Sequence, residues 1–440
     1  MLATGAIHRE ILIHERQWVI LCGFLKLEGY ELRARYQPVD WVPSWAKIKH
    51  PTPLTWKYED GEYPKHCLID AIRVSDGTRV MLKLVKPAED HSEEIDCFLT
   101  ARGADPRNHC LPLLAVLRPP EYPGYAVLVA PYCLPWMLWP FVRVDEAVDF
   151  FTQVFEASTS VLHSPCFKST SQGLAFMHEN NVAHLDASHG NIVMDAVHLY
   201  QEPFHPMRPL TRPYGTRPAQ HLERHQSQKP VRYYFIDFEG SLHFDGSTRP
   251  LVTRQIGQDK TVPEECDPDA GPCDPFAVDV YCLGNVLVED WLGVRSSFVQ
   301  RMRGTCSPPR LQAYKNVEFI RDLAEAMTAK DPAQRPTAAE VVRRFEAIRD
   351  SLPASQLQQA LVQVPLYHSL DLQGKQMLDE HRKRLKAEAT TKRAARKKER
   401  AENASLVWRR LGVLLSNLLP RHHITVVQDA SPPSPVASHQ

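Results

Sequence analysis

Asp186 and Asn191 stand five residues apart in the run His184-Leu185-Asp186-Ala187-Ser188-His189-Gly190-Asn191. A second acid, Asp237, follows the apolar stretch Tyr233 to Ile236 and opens Asp237-Phe238-Glu239-Gly240. A carboxylate that can face an acceptor hydroxyl, an amide oxygen that can ligate a metal and a further carboxylate on the same metal form the donor set of phosphoryl transfer from a nucleotide. A small hard cation such as Mg²⁺ takes carboxylate and phosphate oxygens together, with water completing its octahedron. An Asp at a strand end can also merely cap a turn, so Asp237 alone carries less than the set.

The elements that must hold these residues are partly legible. Ala71-Ile72-Arg73-Val74 and Arg79 to Val85 are strand-like, and Ser75-Asp76-Gly77-Thr78 between them carries the Asp-Gly signal of a hairpin. Lys83 lies within the second run. Ser92-Glu93-Glu94 opens a helix, and Tyr125 to Ala130 reads as a buried strand closed by Pro131. A helix is expected over Arg9 to Leu27, with a Trp/Pro-rich connector after it. From Asp145 the chain reads as mostly helical to Leu352. The apolar series Val148, Phe151 and Phe155 is interrupted by residues 157–172, mainly polar and without period. Removing them brings Leu174 and Met177 onto the same face, so 157–172 reads as an insertion within a helix. A retained intron in the gene model would produce one, and the mature transcript would settle it. A second insertion, 196–230, is rich in Pro, His, Arg and Gln and reads as a surface loop.

Composition bounds the class. The 440 residues are 43% hydrophobic and 24% charged, ample for a globular core. Equal numbers of basic and acidic residues, 52 each, remove any global electrostatic case for nucleic acid. The balance is uneven, because His381 to Arg410 holds 12 Lys or Arg against 3 Glu. That basic tail would suit an anionic surface or an import receptor, although charge runs are commonly solvated helix faces. The ten cysteines form no C-x-x-C pair and read as free thiols of a reducing compartment. Trp18 to Leu25 is too short to span a bilayer, and a cytoplasmic or nuclear location is expected.

This order of motifs resembles the eukaryotic protein kinase family, in particular the divergent kinase-like proteins of filamentous and mushroom-forming fungi. The resemblance covers residues 53 to 352. It implies an α+β, two-lobed fold: an N-terminal extension (1–52), a small β-rich lobe (53–132), a larger helical lobe (133–352, with both insertions) and a basic helical tail with a disordered end (353–440). ATP and Mg²⁺ are the implied cofactors and a protein hydroxyl the implied acceptor. Lys83 takes the place of the lysine that reaches the α- and β-phosphates, and Glu94 that of the helix carboxylate paired with it, with Glu93 as the competing choice. Ala130, Tyr132 and Cys133 fall on the hinge whose backbone meets adenine. Asp186 matches the carboxylate that orients the hydroxyl, Asn191 and Asp237 the metal ligands, and His184 the structural histidine. Glu264 in Val262-Pro263-Glu264 and Arg335 in Asp331-Pro332-Ala333-Gln334-Arg335 imply a buried ion pair. Asp279 implies a brace beneath the 184–191 loop.

Four departures accompany the resemblance. No G-x-G-x-x-G precedes Lys83, and Trp56 to Leu68 holds only Gly61. Leu185 replaces an arginine, Ser188 a phosphate-contacting lysine and Glu239 a glycine. Two readings follow: an active ATP- and Mg²⁺-dependent protein kinase, or a pseudokinase serving as a nucleotide- or protein-binding scaffold.

Overall fold

The computed structural model describes residues 11–37, 41–47, 58, 60, 67–155, 173–213, 217–246, 251–253, 257–259, 261–266, 271–293, 313–364 and 383. Residues 1–371 form one compact unit and 372–440 a second. Of the expected helical tail, 365–440 lie outside the described residues apart from 383, as does the 157–172 insertion.

The first unit mixes helices and antiparallel strands. Helix α1 (Arg16–Leu27) precedes strand β1 (Tyr30–Leu32), and β2 (Leu68–Arg73) and β3 (Arg79–Val85) follow. Helix α2 (Ser92–Thr100) then leads to β4 (Ala115–Leu117) and β5 (Ala126–Pro131). The strands form one five-stranded sheet in the order β1-β2-β3-β5-β4, with every neighbour antiparallel. The β2–β3 hairpin turns where the Asp-Gly signal lies. Gly77 takes φ 71°, a region only glycine enters freely, and Asp76 Oδ1 accepts from Thr78 N at 3.1 Å.

Side-chain alternation sorts β3. Val80, Leu82 and Leu84 face a core shared with Trp18, Leu21 and Leu25 of α1, so Met81 and Lys83 point to the other face. The expected boundary at residue 52 therefore does not separate structural units. The N-terminal segment supplies the sheet's edge strand and the helix that covers one face. It is tied down by charge as well: buried Glu15 accepts from Arg35 Nε at 2.8 Å and from Tyr36 Oη at 2.9 Å, and buried Asp70 is paired with Arg33 and Arg79.

Beyond β5 the chain is dominated by helices, interrupted by short strands. Strands β6 (Leu134–Pro135), β8 (Ile192–Asp195) and β9 (Arg232–Phe235) form a three-stranded antiparallel sheet, and β7 (Val182–Ala183) pairs with β10 (Leu242–His243). Helices α3 (Val144–Phe155) and α4 (Gly173–Glu179) flank the undescribed insertion. Both are buried on nearly every side, so the single-face periodicity expected of them is not what places them. Phe150, Phe151, Trp136 and Trp291 cluster at the centre, with Trp136 stacked on Phe150 at 4.4 Å between centroids.

Two further expectations are qualified. Among the described residues of 196–230 most are exposed or half-buried, as in a surface loop, but a few anchor the segment to the body. Arg224 is buried and donates to Tyr233 Oη, Pro140 O and Trp136 O at 2.9–3.0 Å, with its guanidinium 3.9 Å from the Phe141 ring centroid. Two of the basic residues that made the segment look solvent-exposed lie against aromatic rings, where guanidinium and imidazole planes pack well: Arg224 on Phe141 and His221 on Trp139. The tail does not begin at 353. Residues Ala354–Leu357 form a short helix, and Val362–Val364 pair with Ala313–Lys315 of the body. Among the described residues no helix is long and apolar enough to cross a membrane.

Candidate functional site

Lys83 Nζ meets Asp237 Oδ1 at 2.8 Å, across 154 residues of sequence. β3 turns the lysine toward the helical body, and β9 delivers the acid at its C-terminal end. Burial disfavours the ammonium, but the Asp237 carboxylate, joined by Asp90 and Asp96, outweighs it and holds Lys83 above the ordinary lysine range. Asp237 has φ 71° and ψ 65°, a left-handed backbone. Leu185 takes φ 61°. Non-glycine residues there carry strain of roughly 1–3 kcal/mol, tolerated where surrounding bonds over-determine the backbone.

Those bonds are present. The fully buried carboxylate of Asp279, on helix α5 (Pro275–Val286), accepts from His184 N at 2.8 Å, Leu185 N at 2.6 Å and His178 Nε2 at 2.9 Å. His184 Nε2 donates to Ile236 O at 3.1 Å, and Ile236 N donates to Asn191 O at 3.0 Å. The 184–191 loop and the residue before Asp237 are thus stitched together, and the register Ile192↔Phe235 puts Asn191 and Asp237 at the same end of the β8–β9 pair.

Within the loop, Asn191 Nδ2 donates to Asp186 O at 3.0 Å and to Asp186 Oδ2 at 2.9 Å. That leaves Asn191 Oδ1 turned outward. It accepts from Gln258 Nε2 at 2.8 Å, while Gln258 N donates to Asp186 Oδ1 at 2.8 Å. Burial raises the Asp186 carboxyl above the usual carboxylate range, with the Gln258 and Asn191 hydrogen bonds opposing it.

Ala130, Tyr132 and Cys133 span the crossing from β5 to β6, where the chain passes from the five-stranded to the three-stranded sheet. Tyr132 is fixed by its hydroxyl, which donates to Pro206 O at 2.7 Å. Burial pushes the Cys133 thiol far up, so it is a neutral wall rather than a nucleophile. Glu264 and Arg335 form a two-pronged ion pair, 2.6 Å for Nη1–Oε1 and 2.7 Å for Nη2–Oε2. Arg335 is also held by Ala329 O and Ala277 O at 2.8 and 3.0 Å.

Glu94 is not at the site. Its side chain is 76% exposed, and its carboxylate lies 4.0 Å from His91 Nδ1. Glu93, the competing choice, pairs with Arg118. The helix geometry explains both. Ser92, Ile95 and Leu99 are buried, and at about 100° per residue Glu94 lies opposite that face while Asp96 lies beside it. Asp96 is the α2 acid that feels Lys83. Burial lifts its carboxyl to about 7; Lys83 opposes the rise, and Asp237 and Asp90 add to it.

A stability signature follows. The unfolded carboxyl titrates near ~3.9 and the folded one near 7. The folded state keeps its proton longer, so this group's contribution falls as pH rises between those values and is flat above them. Asp96→Asn is expected to leave the melting temperature unchanged at pH 4 and to raise stability at pH 8 by roughly 1–3 kcal/mol. Equal shifts at both pH values in a thermal melt would refute the assignment.

A small cation could take the second Asp237 carboxylate oxygen and Asn191 Oδ1. Asp237 is 43% exposed, with Oδ1 alone engaged by Lys83 among the described residues. Among those residues no group of three or more His, Cys, Asp or Glu is placed to hold a metal. Two protein oxygens suit Mg²⁺ bound through phosphate and water rather than a closed protein cage. Sequence reasoning missed two residues: Asp96, which helical phase marks, and Gln258, which no spacing rule marks. No family model matches the chain, and no curated protein matches it.

Proposed function

We propose that this chain is an ATP- and Mg²⁺-dependent protein kinase of the two-lobed eukaryotic kind, transferring the γ-phosphoryl group to a Ser or Thr hydroxyl of a protein. The observation that carries the reading is the 2.8 Å Lys83–Asp237 contact, with Asn191 at the same end of the β8–β9 pair. Lys83 would hold the α- and β-phosphates, and Asp237 and Asn191 the cation. Mg²⁺ supplies neutralisation of charge shared by the β- and γ-oxygens. Asp186 would orient the acceptor hydroxyl and receive its proton as the new P–O bond forms and the β–γ bridge breaks, the electron pair leaving on ADP. Adenine would lie against the backbone of Ala130 to Cys133.

Incubation with γ-labelled ATP and MgCl₂ tests this. Label is expected on a protein acceptor or on the chain itself, and none when Mg²⁺ is chelated. A second reading, a pseudokinase scaffold, is favoured by the Gln258 amide on Asn191 Oδ1, where a metal would sit. It predicts MgATP binding without transfer.

A further inference from the structure

We propose that Gln258 is a latch that occupies the metal-facing oxygen of Asn191 and the acceptor-facing oxygen of Asp186, so that a metal at Asn191 would bind more tightly when this residue withdraws. The inference rests on the phosphotransfer reading and deepens it into a mode of regulation.

Two hydrogen bonds close the latch, one from the side chain and one from the backbone of the same residue. They engage both atoms that chemistry would need. Asn191 Oδ1 is the ligand oxygen that remains once Nδ2 is spent on Asp186, and Asp186 Oδ1 is the oxygen not taken by Asn191. A hydroxyl acceptor and a cation would each meet a donor N–H already in place. Gln258 takes one of the two lone pairs of Asn191 Oδ1, and its partly positive N–H opposes a cation on the other, so the closed latch weakens cation binding.

The surroundings fit such a closure. A Cβ at Gly190 would stand 2.1 Å from Gln258 Oε1, and a Cβ at Gly257 would stand 2.9 Å from both Asp186 Oδ1 and Leu185 O. Neither glycine has positive φ, so close approach, and not backbone freedom, is what glycine provides at both positions. The next residue is an anchor. Asp259 is buried, accepts from Asn285 Nδ2 at 2.8 Å and caps Thr261 N at 2.9 Å. Gln258 thus sits one residue from Asp259, which is bonded to helix α5 through Asn285, while Gln258 itself is exposed.

The test uses the full chain in two measurements. The first is the Mg²⁺ midpoint for ATP-dependent thermal stabilisation, in wild type and Gln258→Ala. Removal of one competing hydrogen bond is expected to lower the midpoint about fivefold. Equal midpoints in two proteins that both bind ATP would overturn the latch and leave the kinase reading intact. The second measurement needs no nucleotide: amide hydrogen exchange over 257–259 in wild type and Asp186→Asn. Loss of the charged acceptor is expected to speed exchange at Gln258 about tenfold. An unchanged rate would show that the contact does not form in solution and would overturn the latch. If neither protein binds ATP at any Mg²⁺ concentration, the phosphotransfer reading falls and the metal competition with it, while the exchange result still decides the contact.

Discussion

Asp186→Ala is expected to lower phosphoryl transfer by about 10²–10⁴-fold while leaving MgATP affinity close to wild type. Asp186 would touch the acceptor hydroxyl rather than the nucleotide, so its loss falls on the chemical step. Asp186→Asn sharpens the test. The amide keeps the shape and can still accept from Asn191 Nδ2, yet it cannot take a proton, so the same loss is expected. Because burial raises the Asp186 carboxyl, transfer should climb with pH as that group ionises. Initial rates with labelled ATP measure all three. An Asp186→Ala protein that transfers at the wild-type rate removes Asp186 from the mechanism.

The largest expected effect on stability lies at Glu264 and Arg335. The Arg335 side chain has no exposed surface and Glu264 only 10%, so removing one partner strands the other charge in a poorly solvated place. Either alanine variant is expected to lose about 3–5 kcal/mol. The double variant should lose much less than the sum, by a coupling of up to about 3 kcal/mol. Denaturant unfolding of the four proteins measures it. Strict additivity would mean that the two groups act independently, against the bidentate geometry. Arg335 also holds Ala329 O and Ala277 O, so its loss should exceed that of Glu264.

Some of this was legible in the residues and some was not, for physical reasons. The hairpin could be read because Asp76-Gly77 is a strong local signal and β3 alternates cleanly. The meeting of Lys83 and Asp237 followed from motif order, because local spacing carries no information about contacts 154 residues apart. The resemblance points to Glu94 through the apolar spacing that follows it, which does not fix which acid turns toward Lys83; the burial of Ile95 and Leu99 turns Asp96 inward instead. In residues 196–230 composition hid the anchors. Pro, His and Arg read as solvated, yet Arg224 satisfies its donors on backbone carbonyls and its plane on Phe141. The place of the N-terminal segment in the sheet is not legible, because a three-residue strand such as Tyr30–Leu32 has too few residues to show a period. Gln258 had no signal at all, since its role depends on glycines 190 and 257 being brought against it by the fold.

Calorimetric titration of ATP, with and without MgCl₂, into wild type, Lys83→Met and Asp237→Asn bears most directly on the account. Wild type is expected to bind more tightly with Mg²⁺. Lys83→Met should weaken binding about tenfold or more through loss of a charged contact, and Asp237→Asn should erase the Mg²⁺ dependence. ATP that fails to bind, or binds with an affinity indifferent to Mg²⁺ and to both substitutions, would contradict a phosphate site between β3 and β9.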